Sequence, residues 1–357
     1  MGSLYAVVLA GGSGTRFWPL SRRSHPKQLL NLTPDGTLLS GTLKRVESLI
    51  EPSRWWLVCG DAHLDGSKQA VPDMPVQQML SEPCGRNTAP AIGLAAIALL
   101  RDDPDAMMVV LPADHHVAAP EPFCNALKIA AQAAASGTII TLGIAPTRPE
   151  TGYGYIEKSN TTLSADGAFE VKRFCEKPNL EQAQSFLEQG NFVWNAGIFI
   201  MRCDVLLKEM KRQLPSLHAA LEAIAGSIGT DDYRNVLEAQ YSQLSGISID
   251  YGIMEGAESV GVVPVECGWS DVGSFGSLDA VLERDPAQNL TSGKVVALDS
   301  TNCTLYASEG HVVGVVGMND VVVVHSPDAT LVIPTERAQE VRNILKEMEE
   351  RKWDEYL

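Results

Sequence analysis

Leu4-Tyr5-Ala6-Val7-Val8-Leu9, running into Ala10-Gly11-Gly12-Ser13-Gly14-Thr15-Arg16, is the stretch whose reading settles the fold. The first six residues form a short apolar run without polar alternation, as expected for a strand buried on both faces. Three glycines within four positions then let the backbone turn sharply and approach a ligand with no Cβ in the way. Successive N–H groups in such a turn make a concave anion site. Arg16 adds a planar, permanently charged fork suited to phosphate. A strand followed by this loop predicts a site for the phosphate chain of a nucleotide. It is not a Walker A loop, because no Gly-Lys-Ser/Thr follows at the right spacing. It is not the dinucleotide fingerprint either, because Phe17 stands where the third glycine of G-x-G-x-x-G belongs. A tight turn with no ligand is the bland alternative for the loop taken alone.

Working outward, further apolar runs occur at Trp55–Cys59, Met107–Leu111 and Thr138–Leu142. Helix-like segments, Leu39–Ile50, Ala89–Leu100 and Pro122–Ala135, lie between them. Strands alternating with helices predict an α/β fold, a mixed but mostly parallel sheet covered on both faces in the Rossmann manner. Ligands then bind beyond the carboxyl ends of the strands. After about Asp285 the texture changes. Val295–Leu298, Thr304–Ala307, Val312–Val316, Val321–His325 and Thr330–Ile333 are short β-like runs, with no helical segment until Glu336–Lys352. The expected organisation is a catalytic domain over 1–285 and a small β-rich C-terminal domain over 286–357, closed by a helix. A short β-solenoid or a small sandwich would both fit this tail.

The 357 residues carry 28 Lys plus Arg against 44 Asp plus Glu, a formal charge of −16. Nucleic acid and anionic membrane both call for a basic surface, so neither is an expected partner. An anionic substrate must instead find its own local cations. The seven cysteines, Cys59, Cys84, Cys124, Cys175, Cys203, Cys267 and Cys303, are odd in number and show no C-x-x-C spacing. This argues for free thiols and a cytoplasmic location rather than a disulfide framework or a zinc knuckle. No run approaches the length of a membrane span, and no signal peptide or myristoylation signal is evident at the N-terminus.

The glycine loop continues through Phe17-Trp18-Pro19-Leu20-Ser21 to Pro26-Lys27-Gln28. Taken whole, this closely resembles the signature of the sugar-nucleotide pyrophosphorylases. The Pro-Lys-Gln form resembles the mannose-1-phosphate guanylyltransferase branch of that family. The resemblance implies that Ala10, Gly11, Gly12, Ser13, Gly14 and Thr15 hold a nucleoside triphosphate. It also implies that Arg16 and Lys27 bind its phosphates and stabilise charge at the reacting phosphorus.

Further blocks carry the same likeness. Glu82-Pro83-Cys84-Gly85-Arg86-Asn87-Thr88-Ala89-Pro90-Ala91 has its own structural logic, since Asn87 or Thr88 can cap a helix whose first turn tolerates Pro90. The block also resembles the branch's base-pocket segment, which assigns Gly85, Arg86, Asn87 and Thr88 to that pocket. Pro112-Ala113-Asp114-His115-His116 puts a carboxylate just past a strand end, a suitable place for Mg²⁺. Asp114 matches a magnesium aspartate of the family, and Asp271, in Gly268-Trp269-Ser270-Asp271-Val272-Gly273, matches the second. Adjacent histidines point apart in an extended chain and have no third ligand, which disfavours zinc. Thr151–Ile156, Glu176-Lys177-Pro178 and Trp194-Asn195-Ala196-Gly197 resemble the sugar-phosphate blocks. By that likeness Glu176 accepts from sugar hydroxyls and Lys177 meets the sugar phosphate. Asn195 reads a further hydroxyl, and Gly154 gives backbone access. Asp250, in Ser248-Ile249-Asp250-Tyr251, carries no assigned role.

The resemblance therefore implies transfer of guanylyl from GTP to mannose 1-phosphate, with Mg²⁺ as cofactor. Another hexose 1-phosphate or another base stays open within the class, as does a catalytically inactive regulatory homologue. An acyltransferase fusion is disfavoured because the tail lacks a sustained hexapeptide repeat. Some relatives continue into a mannose-6-phosphate isomerase domain. This sequence ends at Leu357 without the matching metal motif, so no isomerase activity is expected. Strand edges in a short solenoid invite symmetric pairing, so a homodimer or larger assembly through the C-terminal domain is expected.

Overall fold

A computed structural model describes residues 3–12, 14–32, 36–164 and 166–357. The run that opened the argument is β1 (Leu4–Ala10). It pairs in parallel with β2 (Trp55–Gly60) on one side and with β4 (Met107–Pro112) on the other; β3 (Met79–Glu82) extends the sheet beyond β2. Ala6, Val8 and Ala10 face one apolar cluster and Val7 faces another, which is why the strand shows no polar alternation. The first cluster is covered by α1 (Leu38–Val46) and, later in the chain, α4 (Pro120–Ala134). The second is covered by α3 (Thr88–Asp102), while α2 (Leu64–Ala70) lies near α1 at the edge. The α3 side is where small residues matter. A Cβ on Gly93 would come 2.5 Å from Leu221 Cδ1.

After β4 comes β5 (His116–Val117), which pairs with β11 (Trp269–Ser270) beside the main sheet. The main sheet is completed by β6 (Ile139–Ile144), β7 (Tyr155–Thr162), β8 (Phe169–Cys175), β9 (Phe192–Arg202) and β10 (Val260–Pro264). Its order is β3-β2-β1-β4-β9-β6-β10-β8-β7. Only β8 and β9 run against the other strands, so the sheet is mixed and mostly of one direction. Between β8 and β10 the chain forms α5 (Leu180–Gln189), α6 (Cys203–Gln213), α7 (Pro215–Ser227), α8 (Tyr233–Gln243) and a π-helical turn, Asp250–Met254. The strand order steps outward from β1 to β3 and then returns to β4 on the other side of β1. That reversal opens a crevice beyond the ends of β1 and β4, where the glycine loop and Asp114 emerge.

The tail forms β12 (Leu290–Ser292), β13 (Lys294–Leu298), β14 (Thr304–Ala307), β15 (Val312–Val316), β16 (Val321–His325) and β17 (Thr330–Pro334), then α9 (Val341–Glu350). Parallel pairing of Lys294 with Val312 and of Thr304 with Val322 repeats at the same offset. Parallel neighbours at a constant offset describe a β-helix and exclude the sandwich alternative. This unit packs against the segments that follow the glycine loop and β11. Phe17, Trp18, Val272 and Phe275 share one buried cluster with Val322, Val324, Leu331, Val341 and Met348. Trp18 Nε1 also donates to the Tyr356 carbonyl at 2.7 Å.

Candidate active site

Gly14 sits at φ +60°, and a Cβ there would lie 2.1 Å from Lys27 Cβ. Glycine is thus required twice, for the left-handed backbone and for the space that Lys27 occupies. The loop is pinned by Ser21 Oγ donating to the Gly14 carbonyl at 2.8 Å and by Gln28 Nε2 donating to the Ala10 carbonyl at 2.8 Å. Ala10, Gly11, Gly12 and Gly14 line a cavity of about 400 Å³. Thr15 is exposed and lines neither this cavity nor the next, so the structure does not place it with the other loop residues. Ser13, assigned to the nucleotide from the sequence, lies outside the described residues.

Lys27 is only 4% exposed. Its ammonium donates to Asp114 Oδ2 at 2.9 Å and to the Asp271 carbonyl at 2.7 Å. Residues far apart in sequence are thereby drawn to one point. Tyr153 donates its hydroxyl to Asp271 Oδ1 at 2.7 Å. Burial, followed by the neighbouring Asp271 charge, pushes the Tyr153 phenol up, so it stays a proton donor. Burial works to raise the Asp114 carboxyl, but the Lys27 charge overrides it and holds the group below its ordinary value. The other oxygen of each carboxylate takes no side-chain hydrogen bond from the described residues. Val272, β-branched and fully buried, is held at φ +43° directly after Asp271, a costly conformation that the packed cluster around it enforces.

Gly85, Asn87 and Thr88 also line the first cavity. Asn87 caps α3 by accepting from the Thr88 N–H at 2.8 Å, and Thr88 Oγ1 accepts from the Ile249 N–H at 2.8 Å. Arg86 corrects the expectation from sequence. Its guanidinium turns away and donates to the carbonyls of Tyr241 and Ser242, both at 2.9 Å, so it ties the loop to the end of α8. The residue that does face this cavity is Glu82, the last of β3. It is 5% exposed, and its Oε1 has no hydrogen-bond partner among the described residues. Burial pushes its carboxyl up to about 7. Its place at a strand's carboxyl end, at the head of the base block, was the available signal.

On the opposite side, Gly154, Glu176 and Asn195 pack together. A Cβ on Gly154 would fall 2.6 Å from Glu176 Oε2 and 3.3 Å from Asn195 Cβ. Glu176 is ion-paired with Lys177. Asn195 is buried, and its amide is largely spent. Oδ1 accepts from Thr141 Oγ1 at 2.9 Å and the Gly197 N–H at 3.1 Å, and Nδ2 donates to Asp250 Oδ1 at 2.9 Å. It is Asp250, the residue without an assigned role, that lines the cavity. Burial and the Glu176 charge push Asp250 up to about 6. Lys177 lines a second cavity of about 770 Å³ with Arg16, Arg148, Tyr153 and Asp271. The Lys27 bridge, with Asp114 facing the first cavity and Asp271 the second, joins the two. A further groove, about 1110 Å³ between β17 and α9, contains none of these groups. Among the described residues no third His, Cys, Asp or Glu joins Asp114 and Asp271 in a ready-made metal cage. All seven cysteines are free, and among the described residues no helix is long and apolar enough to cross a membrane.

The nucleotidyl transferase family matches residues 5–288, and a MannoseP isomerase/GMP-like beta-helix domain matches residues 293–348. A mannose-1-phosphate guanylyltransferase of Salmonella montevideo is 39% identical over 349 residues, spanning 96% of this chain and 73% of that protein. The alginate biosynthesis protein AlgA of Pseudomonas aeruginosa is 38% identical over 348 residues, 96% of this chain and 72% of the relative. A crystal structure of mannose-1-phosphate geranyltransferase from Thermus thermophilus superposes with a TM-score of 0.87 at 38% identity, covering 97% of this chain and 99% of that one.

Proposed function

The chain belongs to the nucleotidyl transferase family, in its mannose-1-phosphate guanylyltransferase branch, and on that premise we propose that it joins GTP to mannose 1-phosphate, giving GDP-mannose and pyrophosphate. An oxygen of the sugar phosphate attacks the α-phosphorus of GTP. The new P–O bond forms as the bond to the β-phosphate bridging oxygen breaks, and pyrophosphate leaves with that electron pair. The attacking phosphate is already ionised near neutral pH, so no general base is required. Both reactants are anions, so the protein's work is to offset their repulsion and hold them in line.

The observation that carries this reading is the Lys27 bridge between Asp114 and Asp271, set where the two cavities meet. Lys27 brings a fixed positive charge to the reacting phosphorus. Arg16 faces the nucleotide phosphates, and Lys177, oriented by Glu176, meets the sugar phosphate. Asp250, held by Asn195, accepts from sugar hydroxyls. Mg²⁺ fits the donor set: two carboxylates, each with one oxygen uncommitted, are what a cation takes when substrate phosphates and water supply its other ligands. Asp114 and Asp271 would hold it, and when bound it would neutralise phosphate charge.

Guanine selection follows from Glu82. The Watson–Crick edge of guanine offers two adjacent donors, N1–H and the exocyclic amine, and a carboxylate accepts from both. Adenine offers one donor and one acceptor there. The homo-oligomeric state expected from the tail belongs to the same proposal. The reaction course is tested with GTP made chiral at the α-phosphorus by sulfur substitution. One in-line displacement inverts the configuration, and retention would contradict direct attack.

A further inference from the structure

Sixteen arginines stand in this acidic chain, and among the described residues fourteen of them are engaged. Arg22, Arg23, Arg54, Arg101 and Arg148 are among those paired with carboxylates; Arg45 and Arg86 are bound to backbone carbonyls. On the terminal segment itself, Arg337 pairs with Glu340 and Arg351 with Glu347. Arg16 and Arg342 are the exceptions, with neither an ion pair nor a side-chain hydrogen bond to any described residue. These two line the same cavity, the second one, although Arg16 follows the glycine loop and Arg342 sits in the first turn of α9. In a chain with a formal charge of −16, two uncommitted guanidiniums converging on one space mark a place kept for an anion.

We propose that Arg342 is a phosphate-binding residue of the reaction, gripping with Arg16 the β- and γ-phosphates of the nucleotide and then the departing pyrophosphate. The inference rests on the nucleotidyl-transfer reading given above. A nucleotide with its base at Glu82 and its α-phosphate at the Lys27 bridge must extend its remaining phosphates past Asp271, into the cavity these arginines line. The other cations there are partly committed: Arg148 is paired with Glu150 at 3.0 Å and lies 5.4 Å from the Trp194 ring centroid, and Lys177 is paired with Glu176. The β-helix unit thus reaches into the site through α9. Its attachment to Phe17 and Val272 through the shared cluster fixes where Arg342 stands. A tail serving assembly alone has no need of this arginine.

The direct test is calorimetric titration of the full chain with magnesium pyrophosphate, which requires neither the base nor the sugar to be known. Arg342→Ala is expected to weaken pyrophosphate binding by about tenfold or more, as loss of a charge-assisted contact does, and Arg342→Lys by less. Arg337→Ala, on the same segment but paired with Glu340, is expected to bind within about twofold of wild type. In turnover, Arg342→Ala should raise KM for GTP and leave KM for mannose 1-phosphate unchanged. Wild-type binding by Arg342→Ala overturns the proposal, as does a wild type that binds no pyrophosphate. So does a rise of both KM values together with a lowered Tm, which marks a structural role. A wild type that binds pyrophosphate in this Arg342-dependent way but turns over no GTP with mannose 1-phosphate contradicts the substrate reading and leaves Arg342 in place.

Discussion

Replacing Glu82 by Gln isolates the choice of base. The carboxylate is buried beside the glycine loop, with one oxygen unpartnered, and its pKa stands at about 7. Guanine needs the ionised form, because both groups on its edge are donors. The carboxylate is about half ionised at pH 7 and about one-tenth ionised at pH 6. Binding therefore favours the charged form, and kcat/KM for GTP should be level above pH 7 and fall about tenfold per unit well below it. Hydrogen bonds to a charged group contribute about 1.5–3 kcal/mol each, against about 1 kcal/mol for neutral ones. Gln returns one neutral acceptor and turns an N–H toward a guanine donor, so a net loss of about 2–3 kcal/mol, or about 30- to 150-fold in KM for GTP, follows. The assay is pyrophosphate release from GTP, ITP and ATP between pH 5.5 and 8.5 (about the span that brackets the transition). In wild type, ITP, which lacks the exocyclic amine, should fall behind GTP. In the variant that gap should shrink, the limb near pH 7 should vanish, and ATP should gain. A Glu82→Gln enzyme with GTP kinetics within twofold of wild type and an unchanged pH profile would refute the reasoning.

Other expectations follow from the same geometry. Lys27→Ala or Asp271→Ala should lower turnover by about 100-fold or more in folded protein, the usual result of removing one electrostatic stabiliser, checked by steady-state pyrophosphate release. Gly14→Ala forces a Cβ to 2.1 Å from that of Lys27, so activity should fall sharply even at wild-type expression. Phe275 is fully buried, with its ring centroid 5.0 Å from that of Phe17, so Phe275→Ala should destabilise by about 3–5 kcal/mol in denaturant unfolding. Val312, Val316 and Val332 are exposed on the β-helix, and light scattering should give a mass above that of one chain.

Much of the first half of the fold is legible because its signals are local. The Leu4–Leu9 run reads as a doubly covered strand, and the glycines after it read as a turn with a purpose. Asn87 and Pro90 mark the start of α3. What sequence does not expose is pairing. The eleven-residue β9 lies between β4 and β6 and also meets β7, a set of partners drawn from three distant segments. Nothing in Phe192–Arg202 encodes which they are. Helices α5–α8 lie outside the quoted blocks, although α5 opens on a capping box between Asn179 and Gln182 and Pro215 begins α7. At the site, blocks are legible but the direction of each side chain is not. Arg86 belongs to the base block by position, yet carbonyls at the end of α8 offer its guanidinium better partners. Asn195 reads as a hydroxyl-binding amide until Thr141, Gly197 and Asp250 are seen to occupy it. At Glu82 the strand-end position is legible but the unpartnered Oε1 is not, and Arg342 stands out only because no described residue pairs with it.

The central claim is tested most directly by measuring pyrophosphate release with Mg²⁺ over a grid of the four common nucleoside triphosphates and several hexose 1-phosphates. The account predicts a dominant signal for GTP with mannose 1-phosphate, abolished by EDTA. Equal or stronger release with another pair would contradict the assignment of substrates while keeping the chemistry. Silence across the grid from folded protein would contradict the account as a whole.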